Sequence, residues 1–205
     1  MLINLKKNQN YPMKNILSAL LLFQFSLCFS QIYDGVMVSN TNDTTVVKIQ
    51  IKDNMVFKNN KILALQKNIT ILTNNNKTFD LYPKDLKSFK IRMEDKVMIF
   101  DSMNGTEFAE RLYVNKAKLY FKLVWEETIF SPYFRIYRVY MFVKPNGEIK
   151  YLVPNGFSRL LSQKIMLQNF TDCPIIFEKL SKDELKIRND EKLIEFTKDY
   201  EKNCF

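Results

Sequence analysis

The chain has 205 residues, of which 46% are hydrophobic and 26% charged, and its formal net charge is +9. These fractions are ordinary for a globular protein and exclude disorder throughout the chain. Histidine is absent and the four glycines, Gly35, Gly105, Gly147 and Gly156, are isolated, which excludes Ser-His-Asp and Cys-His catalysis, histidine-based metal sites and glycine-rich phosphate loops.

Residues Met13–Gln31, MKNILSALLLFQFSLCFSQ, have the pattern of a secretory signal peptide. Lys14 provides a positive start, and an apolar run follows from Ile16 to Phe29. This run is shorter than the roughly 20 residues that a membrane-spanning helix needs. We therefore predict cleavage between Ser30 and Gln31 and export of the remainder to the periplasm, the outer surface or the medium.

Residues 1–12 fit the leader poorly, so Met13 is predicted to be the true start. An alternative keeps the apolar segment as an anchor, and only then would the membrane be a partner.

Removing residues 1–30 takes away three lysines and no acid, which lowers the net charge from +9 to +6. This excess lies in residues 31–155, because residues 156–205 are neutral. A solubilising charge on a lysine-rich chain is the preferred interpretation of this excess. The alternative is an anionic envelope component or another envelope protein as partner, and export argues against nucleic acid.

Residues 31–155 are predicted to form an antiparallel β-rich body, either a sandwich or a partly open barrel. Residues 44–52 alternate apolar and polar side chains, which is typical of a half-buried strand. Similar runs recur every 8–12 residues with turn signals between them. Pro145-Asn146-Gly147 predicts a hairpin that joins Tyr133–Val143 to Glu148–Val153.

The other predicted strands lie at 31–38, 69–73, 78–82, 88–93, 96–100 and 117–125. Two short apolar pieces lie at 55–57 and 62–65, and Phe108–Tyr113 fits either a helical turn or part of a hairpin.

The C-terminal segment, residues 156–205, is predicted to be helical and to pack on the same domain. Phe157–Leu167 has an apolar helical face, Pro174 stands at the start of a short helix ending at Leu180, and Asp190–Tyr200 forms a charged third helix. The predicted fold class is therefore α+β, a β-rich body followed by about three helices.

Cys173 and Cys204 would be the only cysteines left after cleavage. An even count in an exported chain favours a disulfide, which would close a loop of about 30 residues and hold the last helix to its neighbour. Two buried thiols or a lone nucleophile are the alternatives, although a nucleophile would lack a histidine base.

Carboxylate pairs are the general acid–base groups left in a chain without histidine. A glycosidase needs two carboxylates about 5 Å or about 6.5–9.5 Å apart, and most acidic residues are simply solvated. The candidate pairs are Asp80 with Asp85, Glu94 with Asp95, Glu107 with Glu110, and Glu126 with Glu127.

The segment Tyr133–Val143 contains five aromatic residues, interrupted by Arg135 and Arg138. Such a strand could bind sugars or bases by stacking. Both of its faces carry aromatic rings, as in a central strand, so packing in the core with arginines at its border is the preferred interpretation.

The leader ending in Phe-Ser-Gln, residues 82–89 (YPKDLKSF), Asp172-Cys173-Pro174 and Tyr200-x-x-x-Cys204 resemble small exported proteins of unknown function from flavobacteria and related Bacteroidetes. The resemblance implies a periplasmic or surface location and carries no catalytic assignment.

The sequence thus predicts an exported, non-catalytic domain of the bacterial cell envelope with a binding or structural role. The alternative is a carboxylate-dependent hydrolase acting on an envelope glycan or similar substrate. We assign no catalytic, cofactor-binding or metal-binding residue. The assigned positions are the disulfide pair Cys173 and Cys204 and the cleavage positions Ser30 and Gln31.

Overall fold

The computed structural model describes residues 31–51, 58–127, 134–154, 161–182 and 187–205. Within these ranges the strands are β1 Gln31–Ser39, β2 Thr44–Ile51, β3 Ile69–Leu72, β4 Thr78–Leu81, β5 Leu86–Met93, β6 Lys96–Met103, β7 Glu107–Val114, β8 Lys118–Glu127, β9 Phe134–Val143 and β10 Ile149–Leu152. The helices are α1 Lys58–Lys67, α2 Gln163–Asn169, α3 Pro174–Ser181 and α4 Asp190–Cys204.

The strands form one open antiparallel sheet of 10 strands, in the order β10-β9-β8-β7-β6-β5-β1-β2-β3-β4. This architecture confirms the predicted α+β class, with a β-rich body followed by C-terminal helices. The predicted hairpin between β9 and β10 is also confirmed: Lys144 N donates to Glu148 O at 2.8 Å, and Gly147 adopts a φ of 87°. The ambiguous segment Phe108–Tyr113 lies within strand β7.

The first strand lies in the middle of the sheet, between β5 and β2. Gly35 of β1 is buried and stands opposite Val47 on one side and Ile91 on the other. A Cβ atom at Gly35 would lie 2.6 Å from Cδ1 of Ile49 and 2.8 Å from the backbone oxygen of Lys90. Glycine is needed here because the neighbouring strand leaves no room for a side chain.

We expect Gly35→Ala to lower the free energy of unfolding by about 2 kcal/mol, because the Lys90 backbone oxygen cannot move away without breaking the β1–β5 ladder. Urea unfolding followed by circular dichroism measures this loss. Val46→Ala on the adjacent strand is the control, since Val46 is 80% exposed, and its expected effect is within about 0.5 kcal/mol. Equal stability of Gly35→Ala and the wild type would contradict the predicted clash.

Helix α1 was not predicted from the sequence. The apolar piece 62–65 lies inside it, and the piece 55–57 falls outside the described residues. The helix packs against β7 and β8 as well as β2, although β2 and β7 are separated by three strands in the sheet. The sheet therefore curves around α1, which buries Ile62 and Leu65 in the main core.

The C-terminal helices agree with the sequence prediction in number and differ in their limits. Helix α2 begins at Gln163, where the Ser162 side chain caps it by accepting from Ile165 N; residues 157–160 of the longer predicted helix fall outside the described part. Pro174 is the first residue of α3, as predicted. Helix α4 continues four residues beyond the predicted end, to Cys204.

Aromatic rings join these helices to the sheet. Phe142 of β9 meets the rings of Phe170, Phe196 and Tyr200 with centroid distances of 4.9, 6.3 and 5.1 Å. All four side chains are no more than 2% exposed. Rings arranged edge to face at these distances attract each other beyond the effect of their burial.

Glu201 of α4 anchors the β7–β8 turn. Its carboxylate accepts from Tyr113 Oη at 2.7 Å, from Ala117 N at 2.5 Å and from Asn115 Nδ2 at 3.2 Å. Burial acts to raise the pKa of Glu201, but these hydrogen bonds outweigh it and the pKa lies below its ordinary value. The ionised carboxylate therefore stabilises the fold near neutral pH.

A second polar contact ties the β9–β10 hairpin to the same helices. Lys144 is 3% exposed, and its Nζ lies 2.9 Å from Asp172 and 3.0 Å from Glu148. Tyr200 Oη donates to Asp172 at 2.6 Å. Burial opposes ionisation of Asp172, yet the donors from Tyr200 and Lys144 lower its pKa.

Candidate ligand-binding site

The sheet opens between β7 and β8. Their ladder ends where Glu110 stands opposite Phe121. Strand β8 stays paired with β9 as far as Glu127, and β7 stays paired with β6 as far as Glu107. The two strands therefore part at one end while each remains held by its outer neighbour, and we call this opening the seam.

Helix α1 closes part of the seam through Gln66. The Gln66 side chain is 6% exposed, and its Nε2 donates to Leu123 O at 2.8 Å. Leu123 N donates to Gln66 Oε1 at 2.7 Å. The side-chain amide thus takes the place of a neighbouring strand. It provides hydrogen-bond partners for the buried N–H and C=O of Leu123, which β7 does not reach where the ladder has ended.

A pocket of about 730 Å³ lies in this opening. Its volume is within the range of about 300–1,000 Å³ that is typical of small-molecule sites. We call it the seam pocket; it is lined by Leu63, Ala64, Gln66, Lys67, Thr106, Glu107, Lys122, Leu123, Val124, Trp125 and Ile136.

The apolar wall of the seam pocket includes the chain's one tryptophan. Trp125 is 47% exposed and stands opposite Ile136 across the β8–β9 ladder. Leu63 of α1 and Val124 of β8 extend this wall. Mostly apolar walls with a few polar groups are typical of ligand sites, because the apolar part provides affinity and the polar part orientation.

Three charged side chains line the seam pocket. Lys122 Nζ lies 2.5 Å from Glu107 Oε1, and the Lys122 side chain is only 17% exposed. Lys67 lies in the last turn of α1 and is exposed. Among the described residues no acidic side chain forms an ion pair with Lys67. Counted over the described residues, the pocket therefore has two ammonium groups and one carboxylate.

The predicted disulfide is present: Cys173 and Cys204 are bonded, with Cα atoms 5.6 Å apart. It lies away from the seam pocket and joins the residue before α3 to the last residue of α4. Of the predicted cleavage positions, Ser30 is outside the described residues. Gln31 opens β1 and accepts a hydrogen bond from Lys61 Nζ at 2.5 Å. Cleavage between them stays a prediction.

The carboxylate pair Glu107 and Glu110 is not brought together. Three positions separate them on β7, so they face opposite sides of the sheet. Glu107 pairs with Lys122 in the seam pocket, and Glu110 pairs with Lys96 at 2.5 Å.

The other predicted acids are distributed over separate turns and strands. Asp80 accepts from Thr70 Oγ1 at 2.5 Å, and Asp85 accepts from Tyr82 N at 2.9 Å. Glu94 lies in the β5–β6 turn with a φ of 52°. The side chains of Glu126 and Glu127 fall outside the described part of the chain.

Tyr140 and Phe142 of β9 are buried in the core, in agreement with the preferred interpretation, whereas Tyr137 and Arg138 are half-buried. The Arg138 guanidinium lies 5.2 Å from the centre of the Phe121 ring and 3.5 Å from Asp190. Tyr140 Oη donates to Asp190 at 2.6 Å, and burial together with this bond raises the pKa of Tyr140 to about 12. Tyr133 lies outside the described residues.

Comparison with known proteins gave no relative. No protein-family model, curated protein or solved structure matches this chain. The case for the seam pocket therefore depends on its own geometry.

The described residues contain no group of three or more Cys, Asp or Glu side chains placed to hold a metal ion. None of their helices has both the length and the apolar character needed to span a membrane.

Apart from Glu107, which the sequence offers as one of a pair of carboxylates, the residues of the seam pocket are not predicted as site residues from the sequence. Lys58–Lys67 consists largely of good helix formers and lacks glycine and proline, which was the available signal for α1. Even with this helix predicted, the contact between Gln66 and Leu123, 57 positions apart, has no local signature.

We expect Gln66→Leu to lower the free energy of unfolding by about 2 kcal/mol, because both backbone groups of Leu123 lose their partner and regain only partial hydration from the seam pocket. Chemical denaturation measures this loss. Gln168→Leu is the matched control, since Gln168 is exposed on α2.

Gln66→Glu tests the two hydrogen bonds between the residue-66 side chain and Leu123 separately. An ionised carboxylate can accept from Leu123 N but cannot donate to Leu123 O, so its pKa should be raised in the folded state. The stability deficit of this variant should therefore shrink as the pH falls through that raised pKa. A deficit that does not change with pH would contradict the hydrogen-bond role of Gln66.

Proposed function

We propose that this protein is an exported, non-catalytic binding module of the bacterial cell envelope, and that the seam pocket binds a small, mostly apolar ligand. The observation that carries the proposal is the seam itself. A regular ladder would close the space between β7 and β8, whereas here a helix side chain replaces one strand contact and leaves about 730 Å³ open beside it.

The composition of the wall supports binding rather than hydrolysis. Leu63, Val124, Trp125 and Ile136 provide apolar surface. Glu107 is the one carboxylate among the described residues that line the pocket, and it pairs with Lys122 at 2.5 Å. A two-carboxylate hydrolase would need a second acid facing the first across a substrate. Glu110 faces the other side of the sheet, so it does not provide this partner.

Export is supported by the predicted leader and by the disulfide between Cys173 and Cys204, because such bonds persist in oxidising compartments. N-terminal sequencing of the protein recovered from envelope and medium fractions tests this part. A mature start at Gln31 is expected, and a start at Met1 or Met13 would overturn the cleavage.

Tryptophan fluorescence tests the binding proposal, because Trp125 is the one tryptophan of the chain and lines the seam pocket. Titration of the purified protein with decanol or decanoate, below the micelle threshold, should shift the emission to shorter wavelength and saturate. Unchanged emission with both probes would overturn the proposed function.

Two variants separate pocket binding from surface adsorption. Ala64→Phe adds a ring to the wall of the seam pocket and should weaken binding at least about tenfold. Val46→Phe adds the same ring at an 80% exposed position outside the pocket and should bind as the wild type does. Equal weakening by both variants would contradict binding in the pocket.

A further inference from the structure

We infer that the seam pocket selects an amphipathic anion, a carboxylic acid joined to an apolar chain or ring, with Lys67 as the residue that recognises the carboxylate. This inference rests on the proposed function and specifies its ligand class. This inference is based on the position of an exposed ammonium group, which no described acidic side chain matches, at the border of an apolar pocket.

The charges of the pocket are the first argument. Lys122 and Glu107 neutralise each other at 2.5 Å, so they present no net charge to a ligand. Lys67 adds one positive charge that no described acidic side chain matches. A ligand that displaces water from the pocket weakens the hydration of this ammonium, and a carboxylate on the ligand compensates that loss.

The position of Lys67 is the second argument. Leu63 and Lys67 are one helical turn apart on α1, so they lie on the same face of the helix. Leu63 belongs to the apolar wall, while Lys67 is exposed at the end of the helix. A ligand with its apolar part against Leu63 and Trp125 therefore has its polar end beside Lys67.

Neutral and cationic ligands fit this arrangement less well. A neutral chain of the same length buries the same apolar area without compensating Lys67. A cation is repelled by Lys67, and the carboxylate that could attract it is already engaged by Lys122. Because Lys67 is exposed, the preference is moderate, and we expect decanoate to bind about fivefold more tightly than decanol.

The experiment compares decanoate, decanol and decyltrimethylammonium by the emission of Trp125 at low ionic strength. The expected order of affinity is decanoate, then decanol, then the cation, and the difference between the first two should narrow in 1 M salt. Equal affinities for decanoate and decanol would overturn the ligand class and leave the proposed function standing. Absence of binding by any probe would instead overturn the proposed function.

Lys67→Gln tests the assigned residue. It should reduce the affinity for decanoate about fivefold and leave the affinity for decanol unchanged. Lys164→Gln is the matched control, since Lys164 is an exposed lysine on α2 that does not line the pocket. If Lys67→Gln keeps the preference for decanoate, or if Lys164→Gln loses it equally, recognition by Lys67 is wrong.

Discussion

Replacing both Cys173 and Cys204 with serine should lower the free energy of unfolding by about 4 kcal/mol. The bond closes a loop of 31 residues, and the chain-entropy model gives about this value for a loop of that size. Cys173 is also 3% exposed, so a serine hydroxyl there has little access to water. Urea denaturation should show a midpoint lowered by about 2 M.

Reduction provides the control for the double variant. The wild type in excess dithiothreitol should lose about the same stability, whereas the double variant should not respond to dithiothreitol. Equal midpoints for the oxidised wild type and the double variant would contradict a bond formed in solution. Because Tyr200 and Glu201 of α4 also contact the sheet, through Phe142 of β9 and through the β7–β8 turn, the variant should unfold at a lower midpoint and still fold.

Local sequence patterns are sufficient to predict those elements in which the role of each residue depends on its neighbours in sequence. Alternation in Thr44–Ile51 places Ile49 and Ile51 in the core, as period-two patterns require. Asn146-Gly147 predicted a hairpin, and Pro174 predicted the start of α3. These signals are backbone preferences of single residues, so they can be read without knowing the fold.

The seam could not be predicted in this way, because it depends on pairings between distant segments. Strand β1 inserts between β2 and β5, and Gly35 reaches Ile91 across 56 positions. This insertion and the curvature of the sheet bring α1 against β7 and β8. Sequence periodicity reports which face of a strand is buried, but not where two neighbouring strands part.

The C-terminal helices and the seam lie at opposite ends of strand β8. The helices joined by Cys173–Cys204 cover β9 and the Ala117 end of β8, where Glu201 fixes the turn. Helix α1 lies at the Leu123 end, where the ladder is already open. Neither Glu201 nor Phe142 lines the seam pocket, so the proposed ligand binding there leaves the contacts of these two residues in place.

Phe142→Ala should lower the free energy of unfolding by about 4 kcal/mol. Phe142 is 0% exposed, and its ring contacts Phe170 at the end of α2 and both Phe196 and Tyr200 of α4. Truncation removes the buried ring and leaves a cavity, since the elements packed around it cannot all move inward to fill it. Thermal and urea unfolding of the oxidised protein measure the loss.

Two further substitutions distinguish packing from a general effect of removing a ring. Phe142→Leu keeps part of the volume and should cost roughly half as much. Phe79→Ala removes a ring that is 44% exposed on β4 and should cost less than about 1 kcal/mol.

Phe142→Ala should also leave the affinity of the seam pocket for decanol unchanged, because Phe142 does not line it. If the free energy of binding fell by as much as the free energy of unfolding, the rings packed around Phe142 and the seam would fold as one unit. That result would contradict the division of the sheet described above.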